Sequence, residues 1–172
     1  MPGAQPRTDL ATLRARLSLT QAQFAALMGV TQAAVSQYEA GTREPVGDVR
    51  QFYLRLRAAV DAPVVPEMVG RRPTTMPANR WERVIDPGRV ESFQLPVRLD
   101  WSPRIAGPWR YDDEAHRRDL YRLLLDVGDA VDVMTYIDVD ELAAWSGDLL
   151  VASDARAALD RLVARTAAPI RA

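Results

Sequence analysis

Patterning along the chain predicts a mainly α protein in two parts. A helical N-terminal domain is followed by a small α+β domain with a short strand or hairpin and three to four helices. Three observations carry this expectation. Two short capped helices meet at a tight glycine turn between Leu19 and Pro45, and four prolines fall between Ala62 and Arg80. A single alternating apolar run, Arg89 to Trp101, then precedes a series of helix caps and stripes that starts at Asp112.

Taken in order, Met1–Arg7 (MPGAQPR) reads as a disordered tail. Leu10, Leu13 and Leu17 line one face of a first helix, with Thr8 or Asp9 as its cap. Thr20 caps a second helix, Gln23 completes a capping box, and Leu19 with Phe24 takes the hydrophobic-staple positions. That helix runs through Ala25, Ala26, Leu27 and Met28 and stops at Gly29, which tolerates the positive φ of a sharp turn. Thr31 caps the third helix, and Val30 with Val35 repeats the staple. Val35 and Tyr38 face inward there, which leaves Gln32, Ala33, Ser36 and Gln37 outward. Gly41 ends it and Pro45 prevents its resumption. A fourth helix follows from about Asp48 to Asp61, with Val49, Phe52, Tyr53, Leu56 and Val60 as its stripe and Arg50, Arg55 and Arg57 outside it.

The outward face of the third helix is chemically unusual for a solvated surface. It holds small and amide side chains and no long charged ones. Glutamine pairs bidentately with adenine and alanine can touch a thymine methyl, so such a face suits base edges in a major groove.

Gln21, Ala25, Gly29, Val30, Val35 and Glu39 to Gly41 stand in the order and spacing of a known pattern. With them the chain resembles the phage repressor and Cro type of helix-turn-helix, the xenobiotic-response-element family, over residues 8–60. The resemblance implies a repressor-like bundle of four or five helices that acts as a dimer on a two-fold site in double-stranded DNA. It implies base contacts from Gln32, Ala33, Ser36 and Gln37, and phosphate contacts from Arg14, Gln21, Thr31 and Arg43. It also implies an ion pair between Arg14 and Glu39. The pattern weakens after Pro45, so the family's short fifth helix is expected to be missing and the place of dimerisation stays open.

Ala62 to Arg80, with Pro63, Pro66, Pro73 and Pro77 around Arg71 and Arg72, reads as an extended linker because prolines at this density forbid a helix. The second domain is expected over residues 81–172. Phe93, Leu95, Val97, Leu99 and Trp101 alternate as in a half-buried strand, with Pro96 arguing for an edge or a break. Asp112 or Asp113 caps a helix carrying Leu120, Leu123, Leu124 and Val127 and closed by Gly128. Asp129 caps another with Val133, Tyr136 and Ile137, and Asp138 or Asp140 starts a short third that ends at Gly147. Ser153 or Asp154 caps a last helix with Ala157, Leu159, Leu162 and Val163. The motifs Leu99-Asp100-Trp101 and Tyr136-Ile137-Asp138 are similar to those of small actinobacterial proteins encoded beside abortive-infection nucleotidyltransferase toxins. That likeness implies an antitoxin, whose acidic C-terminal domain would bind a toxin protein, or a regulator of such a locus.

Charge is unevenly spread. All 22 basic residues are arginine, and the formal net charge is −1. Residues 1–60 carry seven arginines against four acids, whereas residues 111–172 carry seven against thirteen. The basic part is the one with the helix-turn-helix pattern, so phosphate attraction can act locally. The chain has no cysteine, which excludes disulfides and thiolate metal sites. No apolar run is long enough for a signal peptide or a membrane span, and the expected location is the cytoplasm, on the nucleoid. The single histidine, His116, has no serine or cysteine partner in the pattern, and the acids from Asp126 to Glu141 lack calcium-loop spacing. No catalytic, metal or cofactor site is expected.

Overall fold

The computed structural model describes residues 7–100 and 107–167. Among them the chain is mainly helical. Its helices are α1 (Arg7–Arg16), α2 (Gln21–Met28), α3 (Gln32–Ala40), α4 (Gly47–Asp61), α5 (Glu114–Val127), α6 (Ala130–Tyr136), α7 (Val139–Trp145) and α8 (Ser153–Thr166). Two antiparallel ribbons lie between α4 and α5: β1 (Val64–Val69) with β2 (Arg72–Pro77), and β3 (Ser92–Phe93) with β4 (Trp109–Arg110). Contacts divide the chain into two compact units, Met1–Arg57 with Ile85–Asp112, and Ala58–Val84 with Asp113–Ala172.

In the first unit, Leu10, Leu13, Leu17, Phe24, Leu27, Val35, Phe52 and Leu56 are buried together from all four helices. Phe24 meets Phe52 edge to face at 5.7 Å, a favoured aromatic geometry. Residues 85–112 complete this core with Val90, Phe93, Leu95 and Leu99, and Phe93 stacks on Tyr111 at 5.0 Å. The strand expected over 93–101 is corrected. Only Ser92 and Phe93 pair, with Arg110 and Trp109. Pro96 cannot donate to a ladder, and its carbonyl instead accepts from Leu99 N and Asp100 N, which turns the chain and leaves Val97 75% exposed. Trp101, like residues 1–6 of the expected tail, lies outside the described residues, and Arg7 already belongs to α1. The expected cap at Thr8 or Asp9 is therefore inside the first turn, where the Asp9 carboxylate accepts from Tyr53 Oη and Arg57 Nη1, both at 2.7 Å.

In the second unit the expected linker is instead a hairpin. Its register pairs Pro66 with Thr75, Met68 with Pro73 and Val64 with Pro77. All three prolines thus fall in the same alternate set. With Val69 and Arg72 closing a two-residue turn, that set is the non-hydrogen-bonded one, whose N–H positions face outward, so no ladder donor is lost. Gly70, with φ 60°, supplies the positive φ that right-twisted hairpin turns need. The ribbon is tied to the end of α5 by Arg72, which donates to the carbonyls of Asp126 (3.0 and 2.7 Å) and Gly128 (3.2 Å). These are among the last carbonyls of a helix, which lack internal partners. Asp113, Asp129 and Asp138 cap α5, α6 and α7 as expected. The cap of α8 is corrected: Ala152 occupies it without a side-chain bond, and Ser153 is already helical. Ala157 is exposed, while Ala155, Ala158, Leu159 and Leu162 face the core. Among the described residues no helix is long and apolar enough to cross a membrane.

Candidate nucleic-acid interface

The interface is built from two local stops. Thr20 accepts from Gln23 N at 3.2 Å, and the Gln23 side chain accepts from Thr20 N at 2.9 Å, a complete capping box that starts α2. Gly29, with φ 64°, closes α2 and turns the chain into α3, whose first turn is capped by Thr31 accepting from Ala34 N at 3.2 Å. Gly41, in the same left-handed region, ends α3. Ala34, Val35 and Tyr38 are buried, and Gln32, Ala33, Ser36 and Gln37 are all exposed on the opposite side of α3.

The far end of α3 is locked by a network. Arg14 Nε donates to Glu39 Oε1 at 2.6 Å and Arg14 Nη2 to Glu39 Oε2 at 3.3 Å, while Arg14 Nη1 donates to the Leu19 carbonyl at 2.8 Å. Gln21 Nε2 donates to the same Glu39 Oε2 at 2.8 Å. Burial works to raise the Glu39 carboxyl. The hydrogen bonds from Arg14 and Gln21, with the Arg14 charge, outweigh it and hold the group below its ordinary value of 4.5. Of the four side chains expected to meet phosphates, Arg14 and Gln21 are thus engaged within the protein at the junction of α1, α2 and α3. Thr31 and Arg43 are exposed, and the Arg43 guanidinium lies 5.5 Å from the Tyr38 ring centroid.

Residues 10–48 match the helix-turn-helix family. The N-terminal unit therefore carries an XRE/Cro-type helix-turn-helix, a DNA-binding module of transcription regulators. No curated protein and no solved structure gives a significant match to the chain.

The helix-turn-helix is also braced by residues that local patterning does not reveal. Gln23 Nε2 reaches the Leu95 carbonyl at 3.3 Å, Arg89 pairs with Asp48 at the start of α4, and Arg98 bonds Ser18 Oγ at 3.1 Å and the Leu17 carbonyl at 3.3 Å. These contacts join positions 41 to 81 residues apart, so no short-range signal announces them. Among the described residues no group of three or more His, Cys, Asp or Glu side chains is placed to hold a metal ion.

Proposed function

We propose that the protein is a sequence-specific transcriptional regulator, a repressor or autorepressor that binds a palindromic operator as a dimer. The observation that carries this is the exposed quartet Gln32, Ala33, Ser36 and Gln37 on one face of α3, a helix held at its end by Arg14, Glu39 and Gln21. Amide and small side chains can enter a major groove and meet base edges there, and Thr31 and Arg43 at the two ends of the helix suit the flanking phosphates. In a dimer the two α3 helices would sit one DNA turn apart, about 34 Å. Genome-wide footprinting of the intact protein would supply the operator. On that operator, Gln32→Ala or Gln37→Ala should relax base preference by about 1–3 kcal/mol, and Arg43→Ala should weaken all sequences alike. Equal loss on every sequence from the glutamine variants would refute base readout by α3.

A second reading is favoured by charge. The second unit carries eleven arginines and fifteen acids, the first eleven and eight. An acidic unit is repelled by DNA and suits a protein partner, as in an antitoxin that neutralises a toxin and binds DNA only to adjust its own expression. Co-purification of the intact chain with the product of a neighbouring gene, lost on charge reversal in the second unit, would support it.

A further inference from the structure

We propose that the groove between the end of α3 and the start of α4 binds a small monocarboxylate with an apolar body, and that its occupation withdraws Arg43 from other anions. The site stands on its own geometry, and only its consequence for DNA rests on the DNA-binding reading of the same unit.

The groove has a volume of about 440 Å³, within the range of small-molecule sites. Leu10 and Tyr38, both buried in the core, form its floor. Tyr53 lines it too, but its hydroxyl is already committed, donating to Asp9 at 2.7 Å and accepting from Arg57 at 3.4 Å. Val46 and Leu54 stand at the rim, 67% and 44% exposed. They are two of the three exposed large apolar side chains among the described residues of the first unit. The loop between the helices is shaped in advance. Gly41 and Gly47 take positive φ (67° and 54°), Thr42 Oγ1 donates to the Gln37 carbonyl at 3.2 Å, and Pro45 has its φ fixed by its ring. A preformed site loses less affinity to the ordering of side chains and loops.

Charge selects the ligand. Arg14, Arg57, Arg89, Arg98 and Arg110 each bond an acid or a carbonyl of the first unit. Arg43 and Arg50 make no such bond among the described residues, and both line this groove. Arg43 meets only the Tyr38 ring, 5.5 Å from its centroid. A guanidinium fork with its donors unspent suits a carboxylate, to which it can give two parallel N–H bonds. Glu44 also lines the groove without an ion pair, so two arginines and one acid leave a single net positive charge there. That balance favours a singly charged anion over a phosphate or a dicarboxylate. The apolar floor and rim then call for an apolar body behind the carboxylate. Under the proposed regulator reading Arg43 meets a DNA phosphate beside α3. A carboxylate holding the same guanidinium competes with that phosphate, which lowers affinity for every sequence alike.

Three probes that share one apolar body separate the charge requirement from simple greasiness: 4-phenylbutyrate, the neutral 4-phenylbutanol and the cationic 4-phenylbutylamine. We would titrate each into the full-length chain by isothermal titration calorimetry. The acid should bind with a Kd of about 1 mM or below, and the alcohol and amine about tenfold more weakly or worse. Arg43→Gln and Arg50→Gln should each weaken the acid about tenfold. Leu54→Glu changes an exposed rim position, leaves the core alone, and should weaken the acid to a similar extent by placing a negative charge at the mouth. Circular dichroism on each variant checks that it is folded. Equal binding of the three probes, no binding of the acid, or acid binding unmoved by all three variants would overturn the proposal. So would self-association of the wild-type chain that Leu54→Glu abolishes, since the groove would then belong to a second copy. In a separate measurement, fluorescence anisotropy on a labelled random-sequence duplex, the acid should weaken wild-type binding and have no effect on Arg43→Gln. Absence of DNA binding by the wild type would overturn the regulator reading, while the calorimetry would still decide the groove.

Discussion

Glu39 gathers three donors from two other helices, which makes it the most informative residue to perturb. Glu39→Gln keeps the size and one acceptor oxygen but removes the charge that faces Arg14 at 2.6 and 3.3 Å and Gln21 at 2.8 Å. Breaking a fully buried pair from one side costs about 3–5 kcal/mol, whereas a hydrogen bond to a charged group is worth about 1.5–3 kcal/mol. Here the Arg14 side chain is 23% exposed and keeps its bond to the Leu19 carbonyl, so the loss should fall near the lower range, about 2 kcal/mol at neutral pH. The pH dependence gives the sharper test. The folded-state value of Glu39 is depressed, so its contribution is complete above the ordinary value of 4.5 and is lost as pH falls through the lower folded value. The E39Q variant has no such titration, and the gap between the two proteins should narrow in acid. Urea unfolding followed by circular dichroism, at neutral pH and in a series below pH 4.5, measures both quantities. A difference under about 0.5 kcal/mol at neutral pH, or one that persists undiminished in acid, would refute the argument that the charged pair holds α3.

Other consequences can be checked by the same unfolding measurements. Gly29→Ala should cost about 1–2 kcal/mol because its φ of 64° is left-handed, while its new Cβ would meet only ordinary contacts at 3.4 Å. Gly128→Ala should cost about 1–3 kcal/mol for a different reason, since its φ is an ordinary −74° but its Cβ would lie 2.6 Å from the Leu124 carbonyl oxygen. In the hairpin, Pro66→Ala should change stability by less than about 1 kcal/mol. Glu67→Pro should cost at least about 3 kcal/mol, because residue 67 pairs with Thr74 in the hydrogen-bonded set and its side chain also accepts from Arg161 and Arg165. Equal effects of these two hairpin changes would show that the register argument is wrong.

The helix-turn-helix was legible because its signals are local. Thr20 with Gln23, Gly29, Thr31 and Gly41 each act within one turn of the chain, and each occupies the place expected of it. The same holds for Asp113, Asp129 and Asp138. Local pattern is silent where the decisive partner is distant and ambiguous where a local rule has two outcomes. Proline density correctly excludes a helix over 62–80, but it is equally compatible with a ribbon whose prolines all occupy non-bonded positions, and only the register distinguishes the two. The alternation from Phe93 to Leu99 marks inward-facing residues correctly at Phe93, Leu95 and Leu99, yet Pro96 converts the middle of the run into a turn. Arg89 and Arg98 could not be found in this way, because their partners lie at Asp48 and Ser18.

The position of α3 follows from the same division between local and distant effects. A helix of nine residues is too short to be stable on its own, so its order must come from what it packs against. One end is fixed by Glu39, through Arg14 on α1 and Gln21 on α2. The other end begins three residues after Gly29, whose turn is covered by the Arg89 carbonyl while the Arg89 side chain pairs with Asp48. Discrimination between bases depends on placing amide groups to within a fraction of an ångström, because hydrogen bonds weaken steeply with misalignment. If α3 reads bases as proposed, a change at either anchor acts on base choice without touching a base. Loss of the Glu39 charge should lower discrimination at every α3-facing position together, whereas truncating Gln32 or Gln37 alters one position at a time. Those two patterns separate a residue that holds the reader from a residue that reads.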